Sequence, residues 1–415
     1  MRHSRCLVIL AAMAGLLGGC CLQCPTVART ASIAETLTGT AGGHYIPRLQ
    51  RRVAQWRMEL PALRETARAG ANGVLAGGNL YIAGPQHSFV IEGYVRSGGL
   101  ILMKKYAPKV KLTERDTVLT AMTGAEDERA LASLRETIDR ADAAGAGMVL
   151  FAGAARDRVG TSSMVLTALP CMPFDEGETA SELSIESVSN AVALWAWTGE
   201  FIAECVAQGK MPCIYESYGL PGGIERAGTL TAWDEGRFHK VTNVMPEAAT
   251  GLGERYLDAA GKALTMTWEH NQDAFERAAE LIRAAHEGGH VVRVFSVSHM
   301  MPNEMRTPQN PTWFLPGTPD DEAKPGDATI VLEYQKFPWK QTRELAEAGS
   351  ACVLSSSHKA PAEFTQSPRN VYIDPFWEIY DAAVELAGYD ARMMPISCVM
   401  QAAVYWQLAE LASAN

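Results

Sequence analysis

The chain has 415 residues, 47% of them apolar, 20% charged and 8% aromatic, and carries a formal net charge of −10. This composition is globular rather than disordered or collagen-like, and the length suffices for two or three cores. The acidic balance argues against nucleic acid or an anionic lipid surface as the main partner, because neutralising phosphates needs a basic face; no apolar run reaches the ~20 residues of a spanning helix.

Residues 1–24 read as a targeting segment. Arg2 and Arg5 precede the short apolar run Cys6 to Leu17, which has the length of a signal-peptide core. Leu17-Gly18-Gly19-Cys20 follows. Small residues before a cysteine let the backbone lie extended in a peptidase groove, and the thiol can take a lipid. The pattern resembles a bacterial lipoprotein signal with Cys20 as the lipidated residue, which predicts a membrane-anchored protein of the cell envelope. The alternative is an uncleaved apolar start or a misassigned start codon, which would leave the protein cytoplasmic. Beyond the leader, Cys171, Cys205, Cys213, Cys352 and Cys398 contain no CxxC pair, so neither zinc nor a disulfide framework is predicted.

The rest of the chain repeats itself. A helical pattern over about 47–76 leads into Gly77-Gly78-Asn79 and the apolar run Leu80 to Ala83. A second, over about 270–287, leads into Gly288-Gly289-His290 and Val291 to Phe295, 211 residues later. Asp116-Thr117-Val118 and Asp327-Ala328-Thr329 are strand entries at the same offset. Helices ending at Ala144-Gly145 and Ala348-Gly349 each run into another apolar strand, and long helical patterns close both copies, over 184–208 and 395–411. Strands alternating with helices predict βαβ units and parallel sheets covered by helices on both faces. Residues 214–253, rich in Gly, Pro and charge, read as a linker, long enough to have a function of its own.

Gly84-Pro85-Gln86-His87-Ser88, then Glu92, then Arg96-Ser97-Gly98-Gly99, resembles the opening of SIS (sugar isomerase) phosphosugar-binding domains. The second copy is similar to the same family from Gly326-Asp327 to Pro395-Ile396-Ser397 and its helix. The resemblance implies an α/β fold of two tandem αβα three-layer sandwiches, with flavodoxin-like parallel sheets. It divides the chain into a leader (1–24), a first SIS-like domain (45–213), a linker (214–253) and a second SIS-like domain (254–415). SIS units pair, so either the two copies pair within one chain or the protein forms a homodimer.

Ligands of open parallel sheets bind beyond the carboxyl ends of the strands, where loop N–H groups and helix starts suit an anion. In the first copy that edge carries Gly84, Gln86, His87 and Ser88, with Ser88 either donating to a phosphate or capping a helix. In the second it carries Ser296, Ser298 and His299. The phosphate loop of the family, Ser-x-Ser-Gly-x-Thr, survives only as Thr123-Gly124, and the matching run of the second copy has lost the pattern. Ser355, Ser356, Ser357 and Lys359 form another polar loop, either an anion site or a surface turn. Aldose–ketose isomerisation needs a base between C1 and C2. Glu92, one turn past Ser88, is the candidate base, with His87 and His299 as further acid–base candidates. Trp195 and Trp197 form either a sugar-stacking face or core. No nucleotide motif, metal cluster or cofactor is implied. Three functions follow: a non-catalytic binder of a phosphosugar or amino sugar, a phosphosugar isomerase, and a lipid-anchored scaffold whose SIS site has degenerated.

Overall fold

The computed structural model describes residues 44–124, 126–152, 165–168, 181–232, 236–318, 321–334, 337–378 and 381–414. The leader, Cys20 and Cys171 lie outside them.

The chain enters through α1 (Tyr45–Met58) and α2 (Leu60–Leu75), where the periodicity predicts a single helix. Pro61 in the first turn of α2 explains the break: it has no N–H to continue the ladder, and its fixed φ suits a helix start. Then follow β1 (Leu80–Ala83), α3 (His87–Gly93), β2 (Met103–Lys105), β3 (Thr117–Ala121), α4 (Glu128–Ala144), β4 (Gly147–Phe151), β5 (Val165–Ala168) and α5 (Ser181–Ala207). α4 is capped by Asp127, whose carboxylate accepts from the Ala130 N–H, and it ends at Gly145, whose φ of 69° completes the anticipated Ala-Gly turn.

The linker stretch is folded onto the first half. It carries α6 (Gly223–Thr231) and α7 (Pro246–Ala249), and it pairs through Leu100 with Ile214. The Arg237 guanidinium donates to the Val74 and Gly78 carbonyls at 2.8 and 2.7 Å, tying the linker to the end of α2 and the turn that follows it. The second half runs α8 (Leu252–His270), α9 (Gln272–Glu287), β6 (Val292–Ser296), α10 (Met301–Glu304), β7 (Phe314–Pro316), β8 (Ala328–Glu333), α11 (Trp339–Glu347), β9 (Ala351–Ser356), α12 (Ala362–Thr365), β10 (Asn370–Ile373), β11 (Ala382–Val384), β12 (Met393–Pro395) and α13 (Ser397–Ser413).

The first sheet has the order β2-β1-β3-β4-β5 and the second β7-β6-β8-β9-β10. Every neighbouring pair in both is parallel. Both are therefore the flavodoxin-like order 2-1-3-4-5, the fold class that the resemblance implies. The repeated aspartates do the same work in each half. Asp116 accepts from the Asn79 and Thr113 N–H groups at 2.6 and 2.7 Å; Asp327 accepts from those of Val291 and Lys324, both at 3.0 Å. Each ties the entry of one strand to the entry of its neighbour. Although burial opposes it, these N–H bonds hold both carboxyls below the usual aspartate range.

The main core lies between the sheets and is built from α1, α2, α5, α8, α9 and α13. From Ser184 onward α5 is buried on nearly every face, and so is α13, which is why both read as apolar all round. Trp195 and Trp197 belong to this core and are 1% and 0% exposed, so neither offers a sugar a face. Trp197 donates its indole N–H to Thr66 Oγ1 at 2.8 Å.

Candidate functional site

The carboxyl edge of the first sheet begins at Gly84. Its φ of 116° lies where only glycine is comfortable, and a Cβ there would stand 2.2 Å from Thr120 Oγ1. The turn delivers Gln86 and Ser88 inward and leaves His87 exposed at the head of α3. Ser88 therefore neither caps the helix nor faces solvent: its hydroxyl lies 3.1 Å from that of Ser187.

The turn after β3 has the geometry of an anion cradle. The Thr123 and Gly124 N–H groups and the Thr123 hydroxyl converge on one point, and there they meet the Glu126 carboxylate at 2.6, 2.7 and 3.0 Å. Glu126 stands where the family pattern has its threonine. Backbone N–H groups in such a nest carry partial positive charge and select an anion. Here the chain supplies its own. A phosphate would have to displace this carboxylate and meet its repulsion. The matching turn after β8 repeats the device on a smaller scale, with the Tyr334 N–H donating to Glu333 Oε1 at 2.8 Å.

Deeper in, two buried constellations face each other across the halves. In one, Glu92 accepts from the Trp195 indole N–H at 3.1 Å and lies 3.3 Å from the Arg96 guanidinium, which donates to the Cys398 thiol at 3.4 Å. That thiol is in turn 3.4 Å from Ser298 Oγ. In the other, Glu304 accepts from the Trp406 indole at 3.2 Å and from the Ser187 hydroxyl, which bonds Ser88. Trp195 and Trp406 are 211 residues apart, as are Ser187 and Cys398, and Glu92 and Glu304 are 212 apart. In each constellation a glutamate of one half meets a tryptophan of its own half and the start of the other half's closing helix. The duplicated sequence has folded into a pseudo-symmetric pair within one chain.

The pair has diverged in charge. Arg96, fully buried, is ion-paired with Asp381, lies 3.3 Å from Glu92 and donates to Ser397 Oγ at 2.8 Å. Burial alone would weaken its charge, but the carboxylates, Asp381 foremost and then Glu92, more than offset this and hold the guanidinium charged. Burial pushes the Glu92 carboxyl up, with Arg96 pulling the other way. Burial likewise pushes the Cys398 thiol up to about 12. His299, half-buried nearby, is lowered to about 4 by burial and by the Arg96 charge, so its imidazole is neutral. Backbone strain concentrates here: Val95, Asp381 and Met394 have φ of 52°, 79° and 60° and are three of the four non-glycine residues with positive φ among those described. Glu304 has neutral donors in Ser187, Ser88 and Trp406, and burial pushes its carboxyl up. Gln86 completes that network, donating to the Ser187 carbonyl at 3.0 Å and accepting from Asn190 at 2.9 Å.

Among the residues singled out in the sequence, the structure thus brings Gln86 and Ser88 into one network, and Glu92, Ser298 and His299 into the surroundings of Arg96. Thr123 and Gly124 stand apart around Glu126. Ser296 ends β6, half-buried. Ser355 and Ser356 are buried at the end of β9, where Ser356 Oγ accepts from the His358 N–H at 3.1 Å. Ser357 donates to the Tyr334 carbonyl at 3.0 Å, and Lys359 is exposed. That loop is an ordered polar turn joined to the one after β8. Sequence reasoning passed over Arg96 as a site residue and missed Glu126, Ser187, Glu304, Asp381 and Trp406. Extending the 211-residue offset would have taken Trp195 to Trp406, and Glu92 to Asn303, one residue short of Glu304.

No family model matches the chain, and no curated protein does either. Solved structures are similar to it at low identity. The C-terminal domain of glucosamine-fructose-6-phosphate aminotransferase from Francisella tularensis is 9% identical, over 90% of this chain and 98% of that one, with a TM-score of 0.40. A Salmonella typhimurium LT2 protein provisionally described as sugar binding is 11% identical, over 88% and 99%, with a TM-score of 0.45. A Clostridium difficile 630 protein provisionally described as a phosphosugar isomerase is 10% identical, over 90% and 93%, with a TM-score of 0.41.

Proposed function

We propose that the protein binds a non-phosphorylated carbohydrate derivative, such as an amino sugar, at the carboxyl edge of its first sheet, and does not isomerise it. The observation that carries this reading is the Glu126 carboxylate seated on the Thr123 and Gly124 N–H groups. It blocks an anion and offers lone pairs to sugar hydroxyls or an ammonium group, with His87 exposed on the same edge. Against isomerisation stands Glu92, the candidate base. It is wholly buried and engaged by Arg96 and Trp195, so no substrate carbon can reach it.

The test is thermal unfolding against glucosamine, N-acetylglucosamine and their 6-phosphates, in the wild type and in Glu126→Thr. A ligand at 100-fold excess over its Kd stabilises the native state by about 2.7 kcal/mol. The wild type should respond only to the sugars without phosphate, and Glu126→Thr should gain a response to the phosphates. Wild-type binding of a phosphosugar as tight as the variant's refutes the reading. A flat response from both proteins to every sugar favours the degenerate scaffold instead. Anchoring through Cys20 remains a proposal from the leader alone; loss of membrane fractionation in Cys20→Ser tests it.

A further inference from the structure

The linker grips one hairpin of the second half at its far end. That hairpin is β11 with β12, and residues 385–392 are its tip. Its base belongs to the central cluster: Asp381, just before β11, pairs with Arg96, and the Met394 N–H donates to the Gly98 carbonyl at 2.8 Å. Its tip belongs to the linker. Arg226 on α6 clasps the Asp390 carboxylate with two bonds of 2.5 and 2.6 Å. Gly388, with a φ of 85°, lies so close to the linker that a Cβ would stand 2.6 Å from the Asn243 carbonyl oxygen. Backbone joins the two ends. Residues 211–215 exchange bonds with residues 99–101 on one side, Ile101 N–H to the Cys213 carbonyl and Tyr215 N–H to the Gly99 carbonyl. On the other side the Cys213 N–H donates to the Arg237 carbonyl and the His239 N–H to the Met211 carbonyl.

At the tip, His239 Nε2 lies 3.0 Å from the Tyr389 hydroxyl, which accepts from the Ile214 N–H at 3.3 Å. A phenol has one hydrogen. With its oxygen facing the Ile214 donor, that hydrogen goes to Nε2, which is then the unprotonated nitrogen of a neutral imidazole. The surrounding groups agree. Arg226 lies over the same Tyr389 ring, 5.6 Å from its centroid, and the His239 ring is 5.3 Å from it. Asp390 would favour a charged imidazole, but Arg226 already takes both its oxygens, and Glu216 lies 3.7 Å from that same guanidinium. Cys213 and Tyr215 on the neighbouring stretch are held neutral, because burial pushes both up. Lys240 follows His239 in the chain as a further cation. Burial, and then the Arg226 charge, hold the imidazole below the ordinary histidine value, with Asp390 pulling the other way. A proton on Nε2 would meet the Tyr389 hydrogen and set a second cation beside Arg226.

We propose that residues 211–215 and 237–239, together with the hairpin tip, form a pH-sensitive clamp whose latch is His239: neutral imidazole holds it closed and protonation opens it. Opening frees the tip and loosens the hairpin that carries Asp381 to Arg96. The opened clamp takes up its proton at about pH 6.5 and the closed one only at lower pH, so closure is complete above that value and weakens as pH falls. The clamp is independent of what the edge of the first sheet binds. The test is hydrogen exchange of the full chain, read by mass spectrometry and corrected for the intrinsic effect of pH on exchange. It compares pH 7.5 with pH 5 in the wild type, His239→Gln and Tyr389→Phe. Glutamine can accept the Tyr389 hydrogen but cannot take a proton. In the wild type, protection of residues 211–215 and 385–392 should fall by roughly threefold or more at pH 5, while that of β8 holds. His239→Gln should stay protected at both pH values, and Tyr389→Phe, without a latch, should be weakly protected at both. Equal wild-type protection at the two pH values, a fall in both variants as large as in the wild type, or a fall that extends equally to β8 would each overturn the proposal.

Discussion

Replacing Arg96 by methionine tests the central buried cluster. The substitution keeps much of the stem's bulk and removes the charge. In the wild type the guanidinium is fully buried, ion-paired with Asp381 and 3.3 Å from Glu92, and both carboxylates are themselves inaccessible. Removing one partner of a buried ionic group strands the others, at a cost of about 3–5 kcal/mol. An exposed pair would cost less than about 1 kcal/mol. Two losses add to the charge term: the bond to Ser397 Oγ and the tie between the halves, since Arg96 and Glu92 come from the first and Asp381 and Ser397 from the second. With unfolding entropy near 2.1 cal/mol/K per residue over some 370 residues, this lowers Tm by roughly 4–6 °C. The deficit depends on pH. Burial already raises the Glu92 carboxyl, and losing the guanidinium raises it further. The unfolded chain then ionises first, so the deficit grows as pH rises above the ordinary glutamate value. Urea unfolding of both proteins on either side of that value measures it. A loss below about 1 kcal/mol at neutral pH, or one independent of pH, would refute the account of a buried, charge-coupled cluster. As a control, Arg96→Met combined with Glu92→Gln and Asp381→Asn should recover much of the loss, because the amides remove the stranded charges and keep acceptors for the Trp195 and Ser397 N–H groups.

Two further outcomes are expected. Glu304 is raised by burial, so its contribution to stability is complete below the ordinary glutamate value and is lost as pH rises through its folded-state value; Glu304→Gln should flatten that part of the stability–pH curve, and equal slopes for wild type and variant would count against it. Gly84→Ala places a Cβ 2.2 Å from Thr120 Oγ1 at a φ of 116° and should cost about 1–3 kcal/mol in thermal unfolding, with Thr120→Ala recovering part of it; an unchanged Tm would show that the turn relaxes freely.

Particular residues mark what the sequence by itself determined. The paired aspartates 116 and 327, the Ala-Gly helix ends and the apolar strand runs are local patterns. The helix ends and strand runs act through close neighbours, and the aspartates reach back only to the preceding strand entry, 37 and 36 residues away, so the parallel fold and its duplication could be read from them. The candidate site was legible only in part. Gly84, Ser88 and Glu92 were named, but the roles that spacing suggested depended on what lay opposite. Only the tertiary structure put Ser187 beside Ser88, Cys398 beside Glu92 and Asp381 beside Arg96, across separations of about 100 to 300 residues. It alone turned Glu92 from a candidate base into a buried partner of Arg96, because desolvation and ion pairing depend on everything packed around a group, not on its neighbours in sequence. The Glu126 carboxylate lies between these cases. Its position was visible in the sequence, but that it fills the Thr123 and Gly124 cradle depends on how the turn after β3 folds back on itself.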